Sequence, residues 1–255
     1  MKRNYPAKAF ALGILLFSAG MKEAFAAGIL VIFSVTAAEF IKDLLKDVIP
    51  LWSLRLCVLI GAGSLCASAF LLGFTALGIE VGTGTWVMTF ILGLLCGWEV
   101  LESQTDGAYG DLLYESGILW GFWVLLALIR EFVGTGTVFG YLLYEGDFQS
   151  KAFLGSTFAF LTAGLVLAFA NGILKKEGKD KWEFLVLIPA VIFMRPFSMD
   201  RFGAVIGAIW TVAVPLMLFV SVKMTLRFSR QGRAYEGLPI DMLALGFIYM
   251  ILSMY

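Results

Sequence analysis

The sequence predicts an all-α, polytopic membrane protein, and three observations carry that prediction. Of its 255 residues, 60% are hydrophobic and only 15% are charged, at a mean hydropathy of +0.89; charged residues make up about a quarter of an ordinary soluble domain. The apolar residues come in runs near the ~20 residues that a helix needs to cross a hydrocarbon core of ~30 Å. These runs are apolar on every side and carry Leu, Ala and Gly, without the alternation of lipid-facing and lumen-facing residues that a spanning β-strand requires.

Taken in chain order, the first apolar segment is 9–20. It follows Lys2 and Arg3 and precedes Ala24-Phe25-Ala26, so it imitates a secretion signal with an A-x-A cleavage site. Apolar sequence continues directly through Ala38, and the segment is therefore expected to stay in the membrane. Full-length spans follow at 23–41 and 52–77, then two short segments at 86–98 and 118–129. A full-length span at 153–174 precedes a short segment at 184–194, and two further spans at 203–222 and 238–255 complete the chain. Short, glycine-bearing segments such as Leu12-Gly13 and Leu92-Gly93-Leu94 beside Gly97 suit half helices whose open backbone is shielded by protein. They suit equally well ordinary helices that extend into polar flanking sequence.

Orientation follows from where Lys and Arg cluster beside the span ends. Nine alternating crossings that start inside place Lys2, Arg3, Lys8, Lys42, Lys46, Arg55, Lys175, Lys176, Lys179, Lys181, Lys223, Arg227, Arg230 and Arg233 on the cytoplasmic side. Lys22, Arg130, Lys151, Arg195 and Arg201 fall elsewhere. The acidic stretch Glu99, Glu102, Asp106, Asp111 and Glu115 then lies inside, although acids weigh little in this rule. A multi-pass protein of the inner (plasma) membrane with a cytoplasmic amino terminus is the expectation.

Composition narrows the chemistry. Nineteen basic residues balance nineteen acidic ones, and no basic run with interleaved aromatics offers a nucleic-acid surface. Histidine is absent, which removes imidazole nucleophile pairs, imidazole metal sites and proton relays that titrate near neutrality. Cys57, Cys66 and Cys96 lie in apolar runs without CxxC spacing and read as small core residues. No P-loop or dinucleotide fingerprint stands in a βαβ context, and no carboxylate pair or nucleophile and base can be named for catalysis.

Ionisable groups inside a membrane are costly and are functional candidates for that reason. Glu39 near the end of the second span either snorkels, pairs with Lys42 three residues on, or belongs to an ion path. Arg130 and Glu131 close the fifth segment just before Gly134-Thr135-Gly136-Thr137, a turn whose backbone and hydroxyls suit a polar cavity. Glu131 cannot share a helical face with its neighbour, so Arg130 must find another segment's carboxylate or free helix-end carbonyls. Glu39, Arg130, Glu131, Thr135 and Thr137 form the candidate set, as an ion path or as a structural network.

The run Arg130-Glu131-Phe132-Val133-Gly134-Thr135-Gly136-Thr137-Val138-Phe139-Gly140 resembles the "RE-x-x-G-x-G-T-x-F" turn of the six-helix membrane subunits shared by the Rnf complex and the Na+-translocating NADH:quinone reductase (Nqr). It is similar to the E subunit of Rnf and the D subunit of Nqr. Glu23-Ala24-Phe25-Ala26-Ala27-Gly28 resembles the start of the family's second helix, Arg55 falls in its "R-I-P" motif before the third, and Gly97 with Glu99 resembles "G-R-A-E" after the fourth. The ending from Glu236 to Phe247 resembles the close of the sister subunit, A of Rnf or E of Nqr.

The resemblance implies two inverted three-helix repeats with short first helices, within a six-segment domain at 1–174, and about three additional helices at 175–255. It implies a membrane subunit of a redox-driven ion-translocating electron-transport complex, with flavins and a [2Fe-2S] cluster in partner membrane and peripheral subunits. In the family each short helix gives the cluster a cysteine. Here the matching positions are Leu12 and Gly93, with Cys96 one turn away as the nearest thiol. Since such clusters take four thiolates or near equivalents, this chain is expected to hold no cluster of its own, with Cys96 its weak candidate ligand. A stand-alone secondary transporter, which also uses inverted repeats and broken helices, is the alternative from another class.

Overall fold

A computed structural model of the chain describes residues 6–103, 109–146, 149–175, 184–195, 203–225 and 232–252. Among these it has nine α-helices: α1 (Ala7–Phe17), α2 (Met21–Leu45), α3 (Leu51–Ala76), α4 (Thr83–Glu102), α5 (Tyr109–Thr135), α6 (Ser156–Leu174), α7 (Phe184–Met194), α8 (Ala204–Thr225) and α9 (Leu238–Leu252). Six are long and apolar enough to cross a membrane: α2 to α6 and α8. The chain is an all-α, multi-pass membrane protein, and each of the nine apolar segments in the sequence corresponds to one of these helices. Of the basic and acidic residues used to orient it, Lys2, Arg3, Asp106, Lys176, Lys179, Lys181, Arg201, Arg227 and Arg230 lie outside the described residues.

The span expected over 238–255 is described as the 15 residues of α9, shorter than a full crossing, with 253–255 outside the described residues, and two further lengths need correction. The short stretches 86–98 and 118–129 are the middles of α4, with 20 residues, and α5, with 27 residues. The sequence pattern hides this because both helices run on through polar flanks. Thr83, Gly84 and Thr85 open α4 and Glu99 and Glu102 close it, while Asp111, Glu115 and Ser116 lie in the first turns of α5. Hydropathy stops at the first charge, whereas helical hydrogen bonding does not. The expected matched pair of short first helices is therefore unequal: α1 has 11 residues and α4 spans fully.

Cross-helix contacts fix the direction of each element. Met21 meets Glu131 and Asp43 meets Tyr109, so α2 and α5 run antiparallel. Gly61 faces Ile41 and Gly73 faces Leu30, which sets α3 against α2. Gly97 faces Val58 and Gly93 faces Cys66, which sets α4 against α3. Gly164 faces Leu243 and Gly246 faces Leu161, so α9 descends along α6 in reverse. Phe193 at the end of α7 meets Gly84 at the start of α4. The molecule thus has two ends: one gathers Lys8, Lys42, Glu99 and Tyr109, and the other gathers Ser18, Arg130 and Gly155.

Small residues permit the closest approaches. A Cβ built on Gly93 would lie 2.5 Å from the Ala62 carbonyl oxygen and 2.7 Å from the Gly63 Cα. Helices in lipid gain little from hiding apolar surface, since lipid is equally apolar, and associate through such backbone contact instead. Inside the resulting bundle α1 is buried along nearly its whole length. Phe17 packs on Phe70 and Phe74 of α3, and Phe10 meets Trp123 of α5 edge-on.

Candidate functional site

The site grows from a break in the chain. At ~1.5 Å per residue α1 is about 16 Å long, roughly half of a ~30 Å hydrocarbon core. It stops at Ser18, and after Ala19 and Gly20 the chain restarts as α2. Both helix ends at such a break carry unpaired backbone groups, and within a bilayer only protein can satisfy them. At this break α5 supplies the partners: Glu131 accepts the first amide of α2, and Arg130 holds the Ser18 side chain.

Arg130, near the end of α5, is 5% exposed. Its Nε donates to the Phe153 carbonyl oxygen at 2.6 Å, and its Nη2 donates to the carbonyls of Leu154 at 2.8 Å and Gly155 at 2.6 Å. Nη1 donates to the Ser18 hydroxyl. The acceptors come from a 3-10 turn, Lys151–Leu154, and from the residue that precedes α6. Of the two partners open from sequence, free helix-end carbonyls are the ones present; among the described residues no carboxylate pairs with it. The planar fork spans acceptors that a single ammonium cannot, and it ties the α1 end to the α6 start.

Glu131 works on the opposite flank. Its Oε2 accepts the Met21 backbone N–H at 2.6 Å, which satisfies the first amide of α2. Its Oε1 accepts the Thr137 hydroxyl at 3.0 Å and the Gly140 N–H at 2.8 Å. Thr137 belongs to β1 (Thr137–Val138), which pairs antiparallel with β2 (Tyr141–Leu142) in a two-residue hairpin. Phe139 and Gly140 both have positive φ, at 54° and 79°, the geometry of the turn that suits strand twist. Gly136 is obligatory here, because with φ of 71° a side chain would collide with the Tyr144 carbonyl. The Thr135 hydroxyl lies 2.6 Å from that of Thr137 and donates to the Glu131 carbonyl. Glu23, in the first turn of α2, lies near enough to Glu131 for their carboxylates to interact.

The other end of α1 is held by a second polar group. The two Glu99 oxygens accept the backbone N–H groups of Lys8 and Ala9, each at 2.9 Å. A carboxylate is a favourable partner for a helix N-terminus because the amides and the helix dipole both present positive charge. Lys8, only 3% exposed, reaches Glu102 at 3.2 Å. Beside them Glu39 pairs with Lys42 at 3.0 Å, and Lys42 also donates to the Val100 carbonyl at 3.3 Å. Glu39 thus sits apart from the Arg130 and Glu131 network, at the opposite end of α1.

Glu131, Thr135 and Thr137 share one hydrogen-bonded network, with Arg130 on the opposite flank of the same break, and Glu39 takes Lys42, one of the partners open to it from sequence; the anchoring contacts of Lys8, Ser18 and Glu99 are not read from sequence. The signal that finds them is positional: each stands at the end of a buried helix whose partner helix carries the complementary group.

Comparison with protein-family models, with curated proteins and with solved structures finds no match to this chain.

Among the described residues no group of three His, Cys, Asp or Glu side chains is placed to hold a metal ion. All three cysteines are free thiols; Cys66 and Cys96 are buried as expected of core residues, whereas Cys57, expected in the core, is exposed on α3. Leu12 is fully buried, and Gly93 faces the α3 backbone rather than α1. What the arrangement does is hold a half-length helix inside the bundle by its two ends, with charged groups that serve as hydrogen-bonding anchors.

Proposed function

We propose that the chain is an integral membrane subunit of an Rnf/Nqr-like redox-driven ion-translocating electron-transport complex, and that it serves helix packing and ion passage rather than electron carriage. One observation carries this reading. The residues of the "RE-x-x-G-x-G-T-x-F" resemblance are those that clamp the α1–α2 break: Arg130 through Ser18 and Glu131 through Met21. A mere surface turn would not reach the ends of two other helices.

In this reading flavins and the [2Fe-2S] cluster belong to partner subunits. Leucine and glycine at positions 12 and 93 have no side chain that can ligate iron, which is what supports that assignment. The broken, end-clamped α1 also favours a second reading, a stand-alone secondary transporter, since discontinuous helices build transporter sites. Gentle extraction from native membranes separates the two. A tagged chain that co-purifies with flavoproteins and iron–sulfur proteins supports the subunit reading; a chain recovered alone, or as a homo-oligomer, overturns it.

A further inference from the structure

An apolar groove of about 550 Å3 opens between α3, α4 and α7, away from the α1 clamps. Leu59, Ile91, Leu94, Trp98, Ile188 and Ile192 line it. From Val87 to Trp98 it follows α4 over eleven helical rises, about 16 Å at ~1.5 Å per residue, which is close to the depth of one leaflet of a ~30 Å hydrocarbon core. A furrow of that length in a lipid-facing surface accepts a single acyl chain lying along the helix.

One end of the groove is chemically distinct. Leu59 lies beside Gly97, so Leu59 and Trp98 line the groove at the end of the molecule that carries Lys8, Lys42 and Glu99. Arg55 stands four residues before Leu59, on the same face of α3 and one turn nearer the membrane surface. It is exposed, and among the described residues it makes no hydrogen bond or ion pair. Its side chain leans toward the helix N-terminus, as helical side chains do, and therefore toward the headgroup level. Trp52, 69% exposed and one turn further out, and Trp98, 38% exposed, flank it with rings suited to the membrane interface. The positive-inside pattern puts this end in the leaflet that holds anionic lipids.

We infer that the α3–α4–α7 groove is a binding site for one anionic phospholipid, with an acyl chain along Ile91 and Leu94 and the phosphate on Arg55. The groove supplies retention and the guanidinium supplies headgroup choice. The inference does not depend on the redox reading of the chain.

Native mass spectrometry of the full-length protein in mild detergent tests it, with phosphatidylglycerol and phosphatidylcholine of matched acyl chains as probes. The expected result is one retained phosphatidylglycerol per chain, preferred about fivefold over phosphatidylcholine, the ratio that ~1 kcal/mol per basic residue provides. Arg55→Gln abolishes the preference and leaves retention of both lipids; because Arg55 has no partner among the described residues, the variant melts with the wild type. Ile91→Trp, which fills the groove, loses retention of both. A preference that survives Arg55→Gln, retention unchanged by Ile91→Trp, or a wild-type chain that retains neither lipid overturns the site.

Discussion

Replacing Arg130 with Gln measures what the clamp at the end of α1 contributes. The guanidinium now serves four acceptors, three carbonyls and the Ser18 hydroxyl. A glutamine carries two amide N–H groups on a shorter stem, so at least two acceptors lose their donor. Leaving a buried polar group unpaired costs ~1–3 kcal/mol, which gives ~2–6 kcal/mol in total. Part is returned because a charge no longer has to be buried, and a net loss of about 3 kcal/mol is expected. For a chain of this size that lowers the midpoint of thermal unfolding by roughly 6–12 °C. Arg130→Lys keeps the charge but not the fork and should fall between the two.

Thermal unfolding in detergent, followed by loss of the monodisperse peak, reads the magnitude, and hydrogen exchange locates it. The amides of Met21 and of the first turn of α6 should lose protection, while those of α9 should not. If Arg130→Gln melts within about 2 °C of wild type, a shift of less than ~1 kcal/mol, with unchanged exchange at the α1–α2 break, the clamp is not what holds α1 in place. Under the proposed function, ion-coupled turnover of the assembled complex gives a separate reading. Normal assembly with lost coupling places Arg130 on the ion path, and unchanged turnover leaves only its anchoring role.

Gly93→Ala should destabilise by ~1–3 kcal/mol through overpacking, because its Cβ would meet α3 backbone at 2.5 Å; Gly121→Ala on α5, with open space around it, should be neutral or better in the same melt. Glu99→Gln keeps the shape but replaces one acceptor oxygen with an NH2 that cannot accept, so one of the two bonds from the Lys8 and Ala9 amides is lost, and it should expose the α1 start to hydrogen exchange without loosening the hairpin at Phe139. Should the chain purify in the proposed complex, Cys96→Ser is expected to leave its iron content and activity unchanged; loss of iron in proportion to the substitution would make Cys96 a ligand. Ser150→Cys, exposed beside the 3-10 turn, should react with an impermeant thiol reagent in intact cells, whereas reaction only after lysis would reverse the topology.

The helical fold and its nine segments were legible in the sequence, because a bilayer imposes one requirement on every span: enough consecutive apolar residues, with the backbone satisfied within the helix. The pairing of Glu39 with Lys42 was legible too, being local and set by helical spacing. The lengths of α4 and α5 were not, since hydropathy registers where charge begins and cannot register that Glu99 is accepted by α1 or that Glu115 is buried. The partners of Arg130 were narrowed to two kinds by electrostatics alone, and only the tertiary structure chose between them. That choice depends on where the Phe153–Gly155 carbonyls fall, 23 to 25 residues along the chain from Arg130. Closure of α1 at both ends by Glu99 and Arg130 is likewise a property of packing: each residue is an ordinary charge at a helix end until another helix brings an unpaired amide or carbonyl against it.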